Sequence, residues 1–174
     1  MTNPFALVYN YFKTKSLIHR RQGDKIMINA EHPTVEISCG AIVFRTTLNN
    51  NKEVLLIRHT GSSYWSFPKG HAKPHEGYKH AAIREVQEET GIHINIECDF
   101  EDVVSYPVGI NREKQVFYFL AVDRKHQITK NTDEEIASVL WVNVNEAEKK
   151  LNFSNDKNVF NHALEYVKKH KELF

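Results

Sequence analysis

Residues 65–92, WSFPKGHAKPHEGYKHAAIREVQEETGI, restrict the fold of this chain more than any other stretch. A short apolar piece leads to Pro68, which has no N–H to give to a sheet ladder and so ends regular pairing. Gly70 permits a tight turn and lets another group approach its backbone closely. After a polar loop to Glu76, residues 77–90 are mostly good helix formers, and Gly91 is placed to stop the helix. The spacing predicts a strand end, a loop and a helix in immediate succession.

On that helix Glu85, Glu88 and Glu89 fall at i, i+3 and i+4, so three carboxylates share one face with Cβ atoms roughly 5–6 Å apart. Like charges at this spacing destabilise an isolated helix by about 0.2–0.5 kcal/mol per pair. A cation held among them reverses the sign. Hard divalent ions take oxygen ligands, and Mg²⁺ is usually held by one or two carboxylates together with waters and substrate phosphates. Plain solvation also produces acidic helix faces, and Arg84 with Glu88 forms an i,i+4 pair of about 0.3–0.5 kcal/mol. The glutamates alone do not separate the two readings.

Their surroundings do. Gly70, five residues, Glu76, seven residues, then Arg84-Glu85-Val86-x-Glu88-Glu89-x-Gly91-Ile92 resembles the Nudix box with every signature position filled. The resemblance implies an α+β chain built as the Nudix α/β/α sandwich, a mixed β-sheet between helices. It also implies a loop–helix–loop that binds divalent metal and cleaves a nucleoside diphosphate linked to another group. Glu88 and Glu89 are the implied main metal ligands, with Glu85 and the Gly70 carbonyl as further ligands. Mg²⁺ is the expected cofactor and Mn²⁺ the alternative. Glu76 and Arg84 resemble the family's brace between loop and helix, with Arg84 structural first and catalytic second.

From about Ile37 to the end, the chain is most similar to the asymmetrical bis(5′-nucleosyl)-tetraphosphatase branch. The similarity rests on residues 65–71, on Phe117-Tyr118-Phe119-Leu120-Ala121 and on two C-terminal helices. In that branch a metal-binding glutamate lies about six residues before a strand aromatic, the spacing of Glu135 and Trp141 here. A solvated acidic loop, Asp133-Glu134-Glu135, is the plainer explanation. Lys73 and His75 stand where the branch usually has an acidic residue and a glycine. Pro107, fifteen residues past Ile92, resembles a marker of ADP-ribose pyrophosphatases, and a turn explains it as well. The implied reaction is attack of a metal-activated water on a polyphosphate bridge, releasing ATP and AMP from diadenosine tetraphosphate. ADP-ribose, nucleoside triphosphates, diphosphoinositol polyphosphates and 5′-triphosphorylated RNA ends are the alternatives within the family. Outside it stand a nucleotide sensor without turnover, which predicts a damaged motif, and a scaffold that binds a partner through its N-terminal segment.

Phosphates need cations. Lys69 beside the turn, His71, and Arg58 at the end of a strand leading to the loop are the candidates, whereas His59 reads as a strand-end polar residue. A nucleobase needs an aromatic platform worth about 1–3 kcal/mol. Tyr64, Tyr106 and Tyr118 are the candidates. Phe119 faces the other way from Tyr118 on a strand, so only one of the two can line a site. Trp65 and Phe67 read as packing residues. The ten histidines lack the spacing of a zinc site.

At 174 residues the chain is long enough for one domain with a full core. We expect residues 34–174 to form it and residues 1–33 to be an N-terminal extension. A net charge of +1 argues against nucleic-acid or membrane association driven by bulk charge. The expected partner is a small nucleotide, and the expected assembly a monomer or homodimer. Cys39 and Cys98 match no metal or redox spacing and read as small core residues. Without a long apolar run or a leader pattern the expected location is cytoplasmic.

Strands are expected at residues 34–45, 53–59, 115–123 and 136–144, with one or two more in the alternating stretch 93–104. Gly40 inside the first signals a bulge or a close backbone approach. Residues 25–29 suggest a short strand. Residues 106–109 break the alternating pattern, and 111–114 read as a hairpin tip. Asn145 is the expected cap of a short helix ending near Leu151. A last helix starts near Asn155, with Phe160, Ala163, Leu164 and Val167 on one face.

Overall fold

The computed structural model describes residues 34–130 and 133–173. Residues His32–Phe174 form one compact unit. The extension and short strand expected before residue 34 lie outside the described residues.

Seven strands form one mixed sheet: β1 (Thr34–Thr46), β2 (Lys52–His59), β3 (Trp65–Ser66), β4 (Lys69–His71), β5 (Glu101–Gly109), β6 (Arg112–Val122) and β7 (Ile136–Asn143). Among the described residues three α-helices, α1 (Tyr78–Thr90), α2 (Val144–Lys150) and α3 (Ser154–Lys169), accompany it. β1 is central. It runs parallel to β6 in unbroken register from Thr34↔Arg112 to Phe44↔Val122. Its other edge pairs antiparallel with β4 and then with β2. β2 carries β3 and β7, and β5 closes the far side against β6.

Both faces of the sheet are covered, and the side-chain period of two sorts the core. Cys39, Ala41, Val43, Leu55, Phe119 and Ala121 point to the side of α1, where they meet Ala81, Ala82 and Val86. Ile42, Phe44, Val54, Leu56, Val116, Tyr118 and Leu120 point the other way, onto Ala147 of α2 and Val159, Phe160, Ala163 and Val167 of α3. Covering on both faces explains the continuous apolar centre of β2. The architecture is therefore the expected α+β sandwich. Among the described residues no helix is long and apolar enough to cross a membrane.

Four local expectations are corrected. Residues 93–98 alternate, but they run unpaired, and pairing begins only at Glu101. Residues 106–109 continue β5 instead of breaking it. Pro107 is tolerated because β5 is an edge strand, and the register shifts between Pro107 and Gly109. The hairpin turn is Ile110-Asn111, with Asn111 at φ 55°, so β6 starts at Arg112. The cap of α2 is Asn143, whose side chain accepts from the Asn145 N–H at 3.0 Å.

Candidate active site

Pro68 interrupts the sheet as its missing N–H requires, and its carbonyl instead accepts from the Ala41 N–H at 3.2 Å. This brings the loop down onto Gly40, where a Cβ would lie 2.3 Å from the Pro68 oxygen. Gly70 is crowded from the opposite side: a Cβ there would lie 2.0 Å from Glu85 Oε2. Two glycines thus let a short strand pair closely with β1 while it lies against Glu85 of α1. The helix ends as expected, with Gly91 at φ 71° and its N–H bonded to the Gln87 carbonyl.

Arg84 organises the carboxylates. Its guanidinium grips Glu76 through Nε and Nη2, both at 2.8 Å. Nη1 donates to Glu85 at 2.6 Å and to Glu88 at 2.7 Å, and Nη2 also reaches the His71 carbonyl at 3.0 Å. The fork holds the Glu76 carboxyl well below the usual carboxylate range, at about 2. The expected brace is present, and the same arginine also touches two of the candidate metal ligands.

Glu89 stands apart. It is 5 % exposed, and its Oε2 accepts the Lys69 N–H at 2.8 Å. Burial pushes its carboxyl up to about 8, although the Lys69 charge and hydrogen bond pull the other way; Glu85 and Asp133 add to the rise. Among the described residues no three acidic, histidine or cysteine side chains converge into a ready-made coordination sphere. Glu85 and Glu88 turn to Arg84, and Glu88 also lies 3.9 Å from the Lys73 ammonium. The donor set still fits a hard divalent ion. Three carboxylate side chains project from one helix beside Gly70, which puts no side chain in their way, and the buried one, Glu89, accepts the Lys69 backbone N–H.

The other face of β1 carries a second set. Cross-strand neighbours share a face, so the register aligns Glu36, Lys114 and Tyr106 in one row across β1, β6 and β5. His71, Ser38 and Val116 form the next row, and Lys69, Gly40 and Tyr118 the third. His71 Nε2 lies 3.6 Å from Glu36, which also pairs with Arg112. Lys114 is half-buried, and burial and the neighbouring Lys69 charge lower its ammonium pKa. Lys114 was not singled out by sequence reasoning, because only the β5–β6 and β1–β6 registers reveal its neighbours.

The remaining candidates divide. Tyr106 is half-buried in the first row, and Tyr64 is exposed with its ring edge-on to Phe153 at 5.3 Å. Tyr118 corrects the expectation of a base platform. It is 1 % exposed, packs edge-on to Phe67, and donates its hydroxyl to Asp156 Oδ1 at 3.2 Å. Phe119 is buried on the opposite face, so neither ring of this pair is open. Arg58 is engaged away from the carboxylates, with Ser62 O and Ser138 Oγ both at 3.0 Å and the Trp65 ring beneath it. Glu135 is exposed on the loop before β7, where its carbonyl accepts from the Thr60 N–H at 2.7 Å. The Asp133 and Glu135 charges act on His59, and so does Lys69, which brings this loop and the strand-end histidine into one electrostatic neighbourhood. His75 adopts φ 65°, which accounts for glycine being usual at that position.

Comparison with known proteins agrees with this geometry. The NUDIX domain pattern matches residues 39–163. The asymmetrical bis(5′-nucleosyl)-tetraphosphatase of Rattus norvegicus is 33% identical over 119 residues, covering 63% of this chain and 80% of that protein. The Sus scrofa protein of the same name gives the same figures. Among solved structures, a C. elegans Ap4A hydrolase binary complex superposes with a TM-score of 0.69 at 24% identity, covering 77% of this chain and 98% of that one. By its matched domain, its filled motif and its sandwich, the chain belongs to the Nudix hydrolase family.

Proposed function

We propose that this Nudix hydrolase cleaves dinucleoside polyphosphates, diadenosine tetraphosphate foremost, in a divalent-metal-dependent reaction. The observation that carries the reading is the meeting of two surfaces at Lys69. Its N–H is bonded to Glu89 of the carboxylate helix, and its side chain belongs to the sheet face that also bears His71 and Lys114. A line of cations leading from the carboxylates suits a long polyphosphate better than a short one. The similarity to two tetraphosphatases supports the same substrate class.

In this reading Glu88 and Glu89, with Glu85 and the Gly70 carbonyl, hold Mg²⁺ or Mn²⁺. When bound, the ion supplies neutralisation of the phosphates and a more acidic water. Lys69, His71 and Lys114 hold the bridging phosphates, and Tyr106 or Tyr64 stacks a base. Glu135 lies on the loop beside Asp133 and His59 and takes a proton-accepting or auxiliary ligand role. Water adds to a phosphorus, the bond to the bridging oxygen breaks, and the leaving phosphate carries off the electron pair. Diadenosine tetraphosphate then yields ATP and AMP.

The test is a hydrolysis screen with Mg²⁺ across diadenosine polyphosphates, ADP-ribose, nucleoside triphosphates, diphosphoinositol polyphosphates and triphosphorylated RNA. Preferred release of ATP and AMP from diadenosine tetraphosphate is expected. Preference for ADP-ribose or triphosphates would overturn the substrate assignment, and nucleotide binding without turnover would replace the enzyme by a sensor. Tyr106→Ala should raise KM for the preferred substrate by about 5- to 150-fold, the span of one base–aromatic stack.

A further inference from the structure

Ser38 is 0 % exposed, and among the described residues its Oγ has no hydrogen-bond partner. A buried hydroxyl left unpaired costs free energy that an alanine in its place would not. Its neighbour Cys39 packs with Ala81 and Ala82 of α1, so alternation turns Ser38 to the opposite face of the sheet. There His71 stands opposite it on β4 and Val116 on β6, with Val104 beyond on β5. Two residues along β1 in one direction Gly40 is in register with Lys69, and two residues in the other Glu36 is in register with Lys114. Directly opposed antiparallel side chains have Cβ atoms about 4.5–5.5 Å apart and diagonal ones about 7–8 Å. Three cation-bearing residues thus surround one hydroxyl, while the valines on its other side offer it no acceptor. The acid on this face, Glu36, is paired with Arg112 and lies 3.6 Å from His71 Nε2. The imidazole opposite Ser38 therefore reaches along β1 past the hydroxyl, and its side chain is 66% exposed.

We propose that Ser38 is a substrate contact whose hydroxyl donates to an oxygen of the polyphosphate chain held by Lys69, His71 and Lys114. This rests on the reading of that face as the polyphosphate site. An exposed ion pair such as His71–Glu36 is weak, so an arriving phosphate draws the imidazole off the carboxylate and opens the way to Oγ. The hydroxyl then exchanges an unpaired state for a charge-assisted bond. Its energy is gained only with the ligand in place, so Ser38 acts on binding and not on the fold.

The experiment compares Ser38→Ala with the native full chain in three measurements: diadenosine tetraphosphate hydrolysis with excess Mg²⁺, competitive inhibition of that reaction by inorganic tripolyphosphate, and the melting temperature without ligand. S38A should raise KM and the tripolyphosphate inhibition constant together, by about tenfold or more, with kcat nearly unchanged. It should melt at or above the native temperature, because an unpaired buried hydroxyl has been removed. Ser38→Cys keeps the volume without a strong donor, should behave as S38A does, and takes its place if the alanine variant does not fold. Native KM and inhibition constant in S38A overturn the proposal and leave the hydroxyl to a resident water. A raised KM with an unchanged tripolyphosphate constant also overturns it, since the contact is then not to phosphate. A lowered melting temperature overturns it by giving Ser38 a role in the fold. A native chain that neither cleaves diadenosine tetraphosphate nor binds tripolyphosphate overturns the polyphosphate reading itself and this inference with it.

Discussion

The Glu85 carboxylate occupies the space that a side chain on Gly70 would need, with Oε2 2.0 Å from the Cβ position. Gly70→Ala therefore forces Glu85 away from its Arg84 partner or lifts β4 from α1. Turnover should fall by about two orders of magnitude or more, with a circular dichroism spectrum close to native. Native activity in the alanine variant would show that Glu85 need not stand there.

Arg84→Lys replaces a planar fork by a point charge that cannot span Glu76, Glu85, Glu88 and the His71 carbonyl together. A loss of about 1–3 kcal/mol is expected in urea denaturation. The Glu76 carboxyl, held at about 2 against a usual 4.5, contributes stability present above about pH 4.5 and lost as pH falls through about 2. The lysine variant should therefore show a smaller loss of stability on acidification than the native chain.

Glu88→Gln removes a charge at an exposed position while nearly preserving shape. Turnover should drop by about two to three orders of magnitude without unfolding. Glu135→Gln should cost less, as befits an auxiliary ligand or base on a loop. A Glu88→Gln variant with near-normal kcat would end the metal-site assignment, and an unaffected Glu135→Gln would return that loop to plain solvation.

The Glu89 carboxyl carries the opposite sign from Glu76. Its pKa is about 8 in the folded chain against 4.5 unfolded, so the folded form binds the proton more tightly. Its contribution to stability is fully present below about pH 4.5 and is lost as pH rises through about 8. In the presence of a chelator, native Tm should decline relative to Glu89→Gln between about pH 5 and pH 8. Added Mg²⁺ should release protons on binding over the same range. A parallel pH course for the two proteins would contradict the buried-carboxyl assignment.

His75 holds a left-handed conformation without the freedom of glycine. His75→Gly should raise stability by about 1 kcal/mol, read as a higher Tm. A lower Tm would mean that the imidazole makes a compensating contact.

Much of this was legible in the sequence because it depends on near neighbours. The Glu76–Arg84 brace spans one loop and two helical turns, and the stop at Gly91 follows from a single conformational preference. The strands declared themselves by alternation. What escaped depends on distant pairing. Alternation puts Tyr118 and Phe119 on opposite faces but does not say that helices cover both. Arg58 looked available because its partners, Ser62 O and Ser138, are set by loop geometry and by β7, eighty residues away in the case of Ser138. Lys114 and Asp156 gain meaning only from the β1–β6 register and from the seating of α3. Pro107 looked like a break because an edge position is a property of the whole sheet.

The unbroken parallel register of β1 and β6 acts as a partition. Odd positions of β1 face the helix that bears the glutamates, and even positions face the rows that contain Lys69, His71, Lys114 and Tyr106. A substitution at Glu36, Lys114 or Tyr106 alters one face and leaves the packing of α1 on the other unchanged. On the proposed assignment, in which the glutamates cut and these rows select, bond breaking and ligand choice can drift independently along one strand pair, so that a lineage carrying this sheet can exchange its preferred molecule by surface changes alone and keep its cutting apparatus.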